Sequence, residues 1–389
     1  MRSRPANRLR DSFHPARMRS SASRYAIILT GATIFIVYAS LYPFDFGPRT
    51  NALEAIREVL STWRLLDSWE HVVSNTLLYV PFGFCLVRAL SSGSGFARFV
   101  LAGLAGFLLC ACLEVAQVHD TTRDPSMSDV YANTAGAIVG AAVGVLALHG
   151  ARRNARFERH PFSSLMLLCW LGNRLFPYQP SLSAMAATST IPLDDLFRNL
   201  VNWLAVAVLL EAVFGNARSR WILPALAAVT LMARIVMAGA VLSPAEVAGA
   251  AVAVLIWAVW LWRFHARAMV VAVLFTASAI LQALEPFTFL AVARPFGLVP
   301  FRSFMNSIEN VVPVFFDKAF TYGTLVWLGI RAGLPFGAAV ALGAVLELLL
   351  RLLQVYLPGR SAEITDAIML LLLAAGLRLI GEDPLSEQA

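Results

Sequence analysis

The sequence predicts an all-α protein, a polytopic membrane helical bundle of about twelve transmembrane helices arranged as three parallel four-helix repeats. Three observations predict it. Hydrophobic residues make up 58% of the 389-residue chain and charged residues 14%, with a mean hydropathy of +0.68, far more apolar than a soluble domain. Apolar stretches approaching the roughly 20 residues that cross a bilayer recur along the whole chain. A polar triplet also occurs twice: Gln117, Arg123 and Asp129 stand six residues apart, and Gln354, Arg360 and Asp366 repeat the same residues and intervals 237 positions later.

The elements follow in order. Residues 1–24 form a basic tail with seven arginines against one aspartate. The span at 25–41 resembles a signal peptide but runs directly into Tyr42-Pro43-Phe44 with no small-residue cleavage site, so it reads as an uncleaved first span. Spans follow near 72–90, 98–118 and 130–148, completing a first repeat over 25–150. A second repeat over 160–262 holds spans near 162–176, 196–214, 221–242 and 245–262. The first of these is short and carries Asn173 and Arg174. A third repeat over 268–381 holds spans near 268–284, 311–331, 335–356 and 363–380, and residues 382–389 form a second tail. Each repeat opens with a short apolar helix and an aromatic-proline element: Tyr42-Pro43-Phe44, Phe176-Pro177-Tyr178 and Glu285-Pro286-Phe287. An even number of spans per repeat gives parallel rather than inverted units. The middle repeat offers Leu242-Ser243-Pro244 and Glu246 where its neighbours carry the triplet, which reads as a scaffold kept and a site lost. Leu53–Leu66 and Leu298–Ile308 mix apolar and charged residues, and read equally as interfacial helices or connecting loops.

Charge sets the expected orientation. With a cytoplasmic N-terminus, the inner side collects eighteen arginines: the seven of the tail with Arg88, Arg98, Arg152, Arg153, Arg156, Arg159, Arg218, Arg220, Arg263, Arg267 and Arg331. The outer side collects seven: Arg49, Arg57, Arg64, Arg123, Arg294, Arg302 and Arg360. The positive-inside rule then places both termini in the cytoplasm and both triplets outside, in a bacterial inner membrane. Six of the seven net positive charges lie in the tail, so basicity is a topology signal and no nucleic-acid partner is expected. The four cysteines fall in apolar runs and read as packing residues. His71 and His119-Asp120 lack any metal-ligand spacing, so no metal is expected; no phosphate-binding loop, nucleophile elbow or dinucleotide fingerprint implies a cofactor.

The candidate site residues are those whose polarity costs most inside a bilayer. Glu114 and Gln117 share a helix face, as do Glu347 and Gln354 two turns apart. Arg123 and Arg360 supply planar cations suited to carboxylate or phosphate. Two readings stand side by side: a binding site, or a salt bridge tying the loop to its helices. Asp129, after Ser128, also reads as an N-cap. Asn133, Gly136 and Gly140 form a close-packing face, and Pro81 and Gly83 kink a helix or permit its close approach. Asn75 shares a face with Glu70-His71, one turn before it. Asp317 and Lys318, the single lysine, read as a snorkelling pair at the membrane edge, with a catalytic lysine as the alternative.

The run Asn75–Phe84, with Glu114, Gln117, Arg123, Asp129-Val130 and Asn133-Thr134-Ala135-Gly136, resembles the VanZ-like family of bacterial membrane proteins over about 42–147. The resemblance returns over about 285–380 through Asp317-Lys318, Tyr322, Gln354, Leu357-Pro358-Gly359-Arg360 and Thr365-Asp366, without the Asn-Thr-x-Gly element. It implies a cell-envelope setting and an association with low-level teicoplanin resistance, and brings no settled reaction. Three functional classes are compatible with these residues. The leading one is an accessory envelope protein whose outer-leaflet polar pockets bind an anionic or glycosylated lipid headgroup, making a membrane lipid or lipid-linked glycan the expected partner. The second is an enzyme acting on such a glycan through paired carboxylates, Glu114 with Asp129 or Glu347 with Asp366; no catalytic residue is assigned. The third is a transporter, weakened by the lack of a polar series toward the cytoplasmic side. Nothing in the sequence sets the oligomeric state.

Overall fold

A computed structural model describes residues 15–47, 51–62, 69–150, 159–179, 191–237, 242–305 and 311–382. Most of both tails, and the arginines at 49, 64, 152, 153 and 156, lie outside the described residues. The described chain is all-helical, its only β features being two isolated bridges, and helices occupy all twelve predicted span positions. Eight are long and apolar enough to cross a membrane, which makes this a multi-pass membrane protein. Packing divides the chain into two compact units, Met1–Arg153 and Asn154–Ala389. The first coincides with the first expected repeat. The stretches expected as second and third repeats share one unit.

Unit 1 contains α1 (Pro15–Leu41), α2 (Ala52–Ser61), α3 (Trp69–Ala89), α4 (Gly95–Gln117) and α5 (Met127–Gly150). Its centre is the seam between α3 and α5, where glycine lets two backbones touch. A Cβ on Gly136 would lie 2.0 Å from the Thr76 carbonyl oxygen, one on Gly140 2.0 Å from that of Val80, and one on Gly83 2.0 Å from that of Ala137. The expected small-residue face and the Gly83 approach therefore meet each other. Thr76 Oγ1 also donates to Ala132 O at 3.2 Å. The short α2 is the amphipathic segment: Asn51 caps it by accepting from Glu54 N, Ala55 and Val59 are buried, and Leu53, Ile56 and Leu60 are exposed. An apolar exposed face beside a buried one suits a helix lying in the membrane interface.

Unit 2 contains α6 (Pro161–Leu175), α7 (Leu193–Phe214), α8 (Asn216–Ile235), α9 (Pro244–Val259), α10 (Arg267–Leu284), the short α11 (Arg302–Met305), α12 (Val311–Arg331), α13 (Phe336–Leu353) and α14 (Thr365–Ile380). Helix α7 is its axis, with nearly every side chain from Val201 to Val213 buried against α6, α8, α9 and α10. Helix α12 packs on α6, α10, α13 and α14, so the two expected repeats interlock.

One backbone turn recurs at all three aromatic-proline elements. The Tyr42-Pro43, Phe176-Pro177 and Glu285-Pro286 bonds are cis, and the next residues, Phe44, Tyr178 and Phe287, have φ of 66°, 59° and 61°. Each of these N–H groups donates to the helix just ended, at Leu41 O, Leu175 O and Leu284 O.

Residue 382, expected to open a cytoplasmic tail, is instead part of the bundle. Gly381, at φ 75°, turns the chain back at the end of α14. The Glu382 carboxylate is 7% exposed and accepts from Phe162 N (2.6 Å), Ser163 N (3.0 Å), the Ser163 hydroxyl and Trp327 Nε1 (3.1 Å). It thus caps the N-terminus of α6, where orphan N–H groups and the helix dipole favour an anion. Glu382→Ala leaves these donors buried and unpaired. The expected loss is about 2–3 kcal/mol of unit 2 stability, read as a lowered melting transition in detergent, with no change expected for Val292→Ala at an exposed position.

Candidate functional site

The triplet residues are placed by the carbonyls that α1 and α10 leave without helical partners. Gln117 Nε2 donates to Ser40 O at 2.7 Å, while Arg123 donates through Nε to Tyr42 O at 2.9 Å and through an Nη to Ala39 O at 3.1 Å. In the other copy Gln354 Nε2 donates to Ala283 O at 2.7 Å, and Arg360 donates to Glu285 O at 2.9 Å and Gln282 O at 3.0 Å. The acceptors occupy the same three positions before each cis-proline. Both arginines are therefore cationic caps on a helix C-terminus, a favourable place for positive charge. Burial lowers the Arg123 pKa, and Asp120 and Glu114 oppose that shift. In each arginine Nε and one Nη donate to these carbonyls, and Arg360 also meets the Glu285 carboxylate at 3.2 Å, so a capping role stands beside the expected anion-binding one.

The acids divide differently. Asp129 lies within the first turn of α5, two residues beyond its start, so it is not the N-cap; its Oδ1 instead accepts from Asn75 Nδ2 at 2.7 Å and lies 2.9 Å from His71 Nε2. Glu114, buried in α4, accepts from Ser126 N at 3.0 Å and is within electrostatic reach of Asp129. Asn133 and Thr134 lie beside Cys110, and Asn133 Oδ1 has no hydrogen-bond partner. In unit 2 Asp366 pairs with Lys318 and lies 2.6 Å from Arg351 Nε, while Glu347 meets Arg351 at 3.2 Å. Glu347, Gln354 and Asp366 thus converge on Arg351, with Lys318 on the far oxygen of Asp366. Asp317 turns away from them and accepts from Asn173 at 3.0 Å. Two carboxylates gripping one guanidinium form a buried ion cluster, an arrangement unlike an acid–base pair with a ligand between its members.

The middle stretch, expected to have kept the scaffold and lost the triplet's site, carries a buried polar cluster of its own. Glu246, near the start of α9, is the counterpart of Asp129 and Asp366. It accepts from Arg174 at 2.9 Å and approaches Arg234 at 3.4 Å, and Arg174 also donates to Asn199 Oδ1 at 2.8 Å. These groups border a cavity of about 600 Å³ between α6, α7, α8, α9, α10 and α12. Its polar lining combines Arg174, Arg198 and Arg234 with Asp195, Glu246 and Asp317, and adds the amides of Asn173, Asn199, Asn202 and Gln282 and the hydroxyls of Ser243, Ser278 and Thr321. Arg198 pairs with Asp195 at the partly exposed rim. Such a lining, charged in both senses and rich in amides, can hold an anionic group on arginine while amides and hydroxyls take neutral hydroxyls.

Arg351, Arg174 and Arg234 escaped sequence reasoning as site residues, although a signal for the first existed. It lies 237 positions after Glu114, the interval of the triplets themselves. Arg174 had been read only as a blemish in a short span.

The fold and these buried charges define an all-helical multi-pass membrane protein with side-chain-capped turns. Residues 19–148, within the first unit, match the model of the VanZ/LLP1 family, so that stretch is VanZ-like. No curated protein and no solved structure matches the chain.

Proposed function

We propose that this VanZ-like protein lies in the bacterial cytoplasmic membrane with both termini inside and binds a glycosylated, anionic lipid headgroup at the outer leaflet, in the unit 2 cavity. The observation that carries the reading is the mixed polar lining of that cavity: three arginines and three carboxylates, four side-chain amides and three hydroxyls around about 600 Å³. That space suits a headgroup of one or two sugars with a phosphate, small-molecule sites running to about 300–1,000 Å³. The helix ends that supply it are those the arginine distribution assigns to the outer side. A bearing on glycopeptide resistance would act through such a ligand. The three four-helix repeats supply the frame in this reading, with the capped turns as their common element.

The test uses residues that line the cavity without holding the bundle together. Arg198 is partly exposed and Gln282 makes no side-chain bond among those that brace the turns. In the Arg198→Ala/Gln282→Ala double variant, copurified glycosylated anionic lipid, quantified by mass spectrometry, should fall at least about tenfold, as two lost polar contacts of about 1 kcal/mol each imply. Lipid retention at the wild-type level in the folded variant would remove the cavity as the binding site.

A further inference from the structure

We infer that unit 2 carries a second binding site at the opposite end of α7, one that takes the phosphate headgroup of an anionic phospholipid in the inner leaflet. The site begins with Glu211, 3% exposed, twelve residues along α7 from Asn199, roughly 18 Å away at helical rise. Arg267 grips its carboxylate with two bonds of 2.7 Å, and Arg331 adds a third of 3.0 Å. Around this knot lies a cavity of about 450 Å³ lined by Glu211, Asn216, Arg263, His265, Arg267, Ala268 and Arg331. Three arginines against one glutamate leave two formal positive charges on the lining, before any protonation of His265. The Asn216 amide donates to Trp262 O at 3.0 Å, and its Oδ1 is buried with no hydrogen-bond partner among the described residues. An excess of guanidinium groups in an open cavity selects an anion, and phosphate oxygens match the arginine fork.

The surroundings say that the anion belongs to a lipid. Arg263 and Arg220 both lie over the Trp262 ring, at 4.8 and 5.1 Å from its centroid, and Arg220 also lies over Trp221. Trp221 is 69% exposed and Trp260 56%, and Trp260 stacks on Phe264 at 5.2 Å. Exposed tryptophans beside arginines mark the level where acyl chains give way to headgroups. A basic pocket between helices at that level suits an acidic headgroup whose chains run along the apolar flank. The pocket is independent of the cavity at the other end of α7, and each can fail without the other.

The experiment follows phosphatidylglycerol and phosphatidylcholine retained by the purified full-length protein in mixed micelles, by native mass spectrometry. The expected result is at least fivefold preference for phosphatidylglycerol, weakened by salt. The Arg220→Gln/Arg263→Gln/His265→Gln variant, whose changes avoid the Glu211 knot, should lose that preference while keeping wild-type circular dichroism and melting. Equal retention of the two lipids would overturn the inference, as would an unchanged preference in the folded variant. Displacement of phosphatidylglycerol by millimolar inorganic phosphate would also overturn it, by showing a soluble-phosphate site.

Discussion

Gly140→Ala should disable unit 1, whereas Gly31→Ala should leave it intact. Both add one methyl group to a helix, and both gain the better helix propensity of alanine. The difference is what the methyl meets. At Gly140 it would lie 2.0 Å from Val80 O and 2.9 Å from Phe84 N, atoms of the α3 backbone that no rotamer change can move. At Gly31 it meets nothing within 4 Å. Overpacking a core typically costs about 1–3 kcal/mol. A clash with backbone belongs at or above the top of that range, because α3 and α5 must separate along their whole seam. A substitution without a clash stays within about 0.5 kcal/mol. Melting in detergent, with hydrogen exchange of the α3 and α5 amides to report on unit 1 itself, distinguishes the two. Equal behaviour of the two variants would mean that the α3–α5 seam is looser than described.

Arg351→Met should be the most damaging single change in unit 2. The side chain is 12% exposed and stands between Glu347, 1% exposed, and Asp366, 2% exposed. It also donates to Gln354 Oε1, the amide that caps α10 through Ala283 O. Methionine fills the space but removes the counter-charge of two buried carboxylates, leaving Asp366 with Lys318 alone. Removing one partner of a buried ion cluster costs about 3–5 kcal/mol, most of it the penalty of the stranded charge. Hence Glu347→Gln added to Arg351→Met should restore a substantial part of the loss. A double variant as unstable as the sum of its two single variants would show that the cluster does not act as a unit.

The fold was legible because hydropathy and glycine spacing act through simple physics. Apolar runs predict helices at all twelve positions, and Gly136 and Gly140 predict the close-packed face that meets α3. The site was legible only in part. Gln117 and Arg123 stand out as polar residues, but their partners are the carbonyls of Ala39, Ser40 and Tyr42, and a carbonyl has no identity in a sequence. Repetition of the triplet suggests a ligand, and the partners that the fold supplies are unfinished helix ends. Single charges within apolar runs, such as Arg174 and Glu246, became meaningful once the fold set them 2.9 Å apart. Glu382 was hidden by its place after the last apolar run, although Gly381 before it is the kind of residue that reverses a chain at a helix end.

A density map of the protein purified with its native lipids tests the proposed headgroup binding in the unit 2 cavity most directly. The account predicts density for a polar headgroup within the unit 2 cavity, in contact with Arg198, Asn202 and Gln282, and none replacing the backbone bonds of Arg123 or Arg360. A cavity holding only solvent, with headgroup density at the triplet arginines instead, would contradict it.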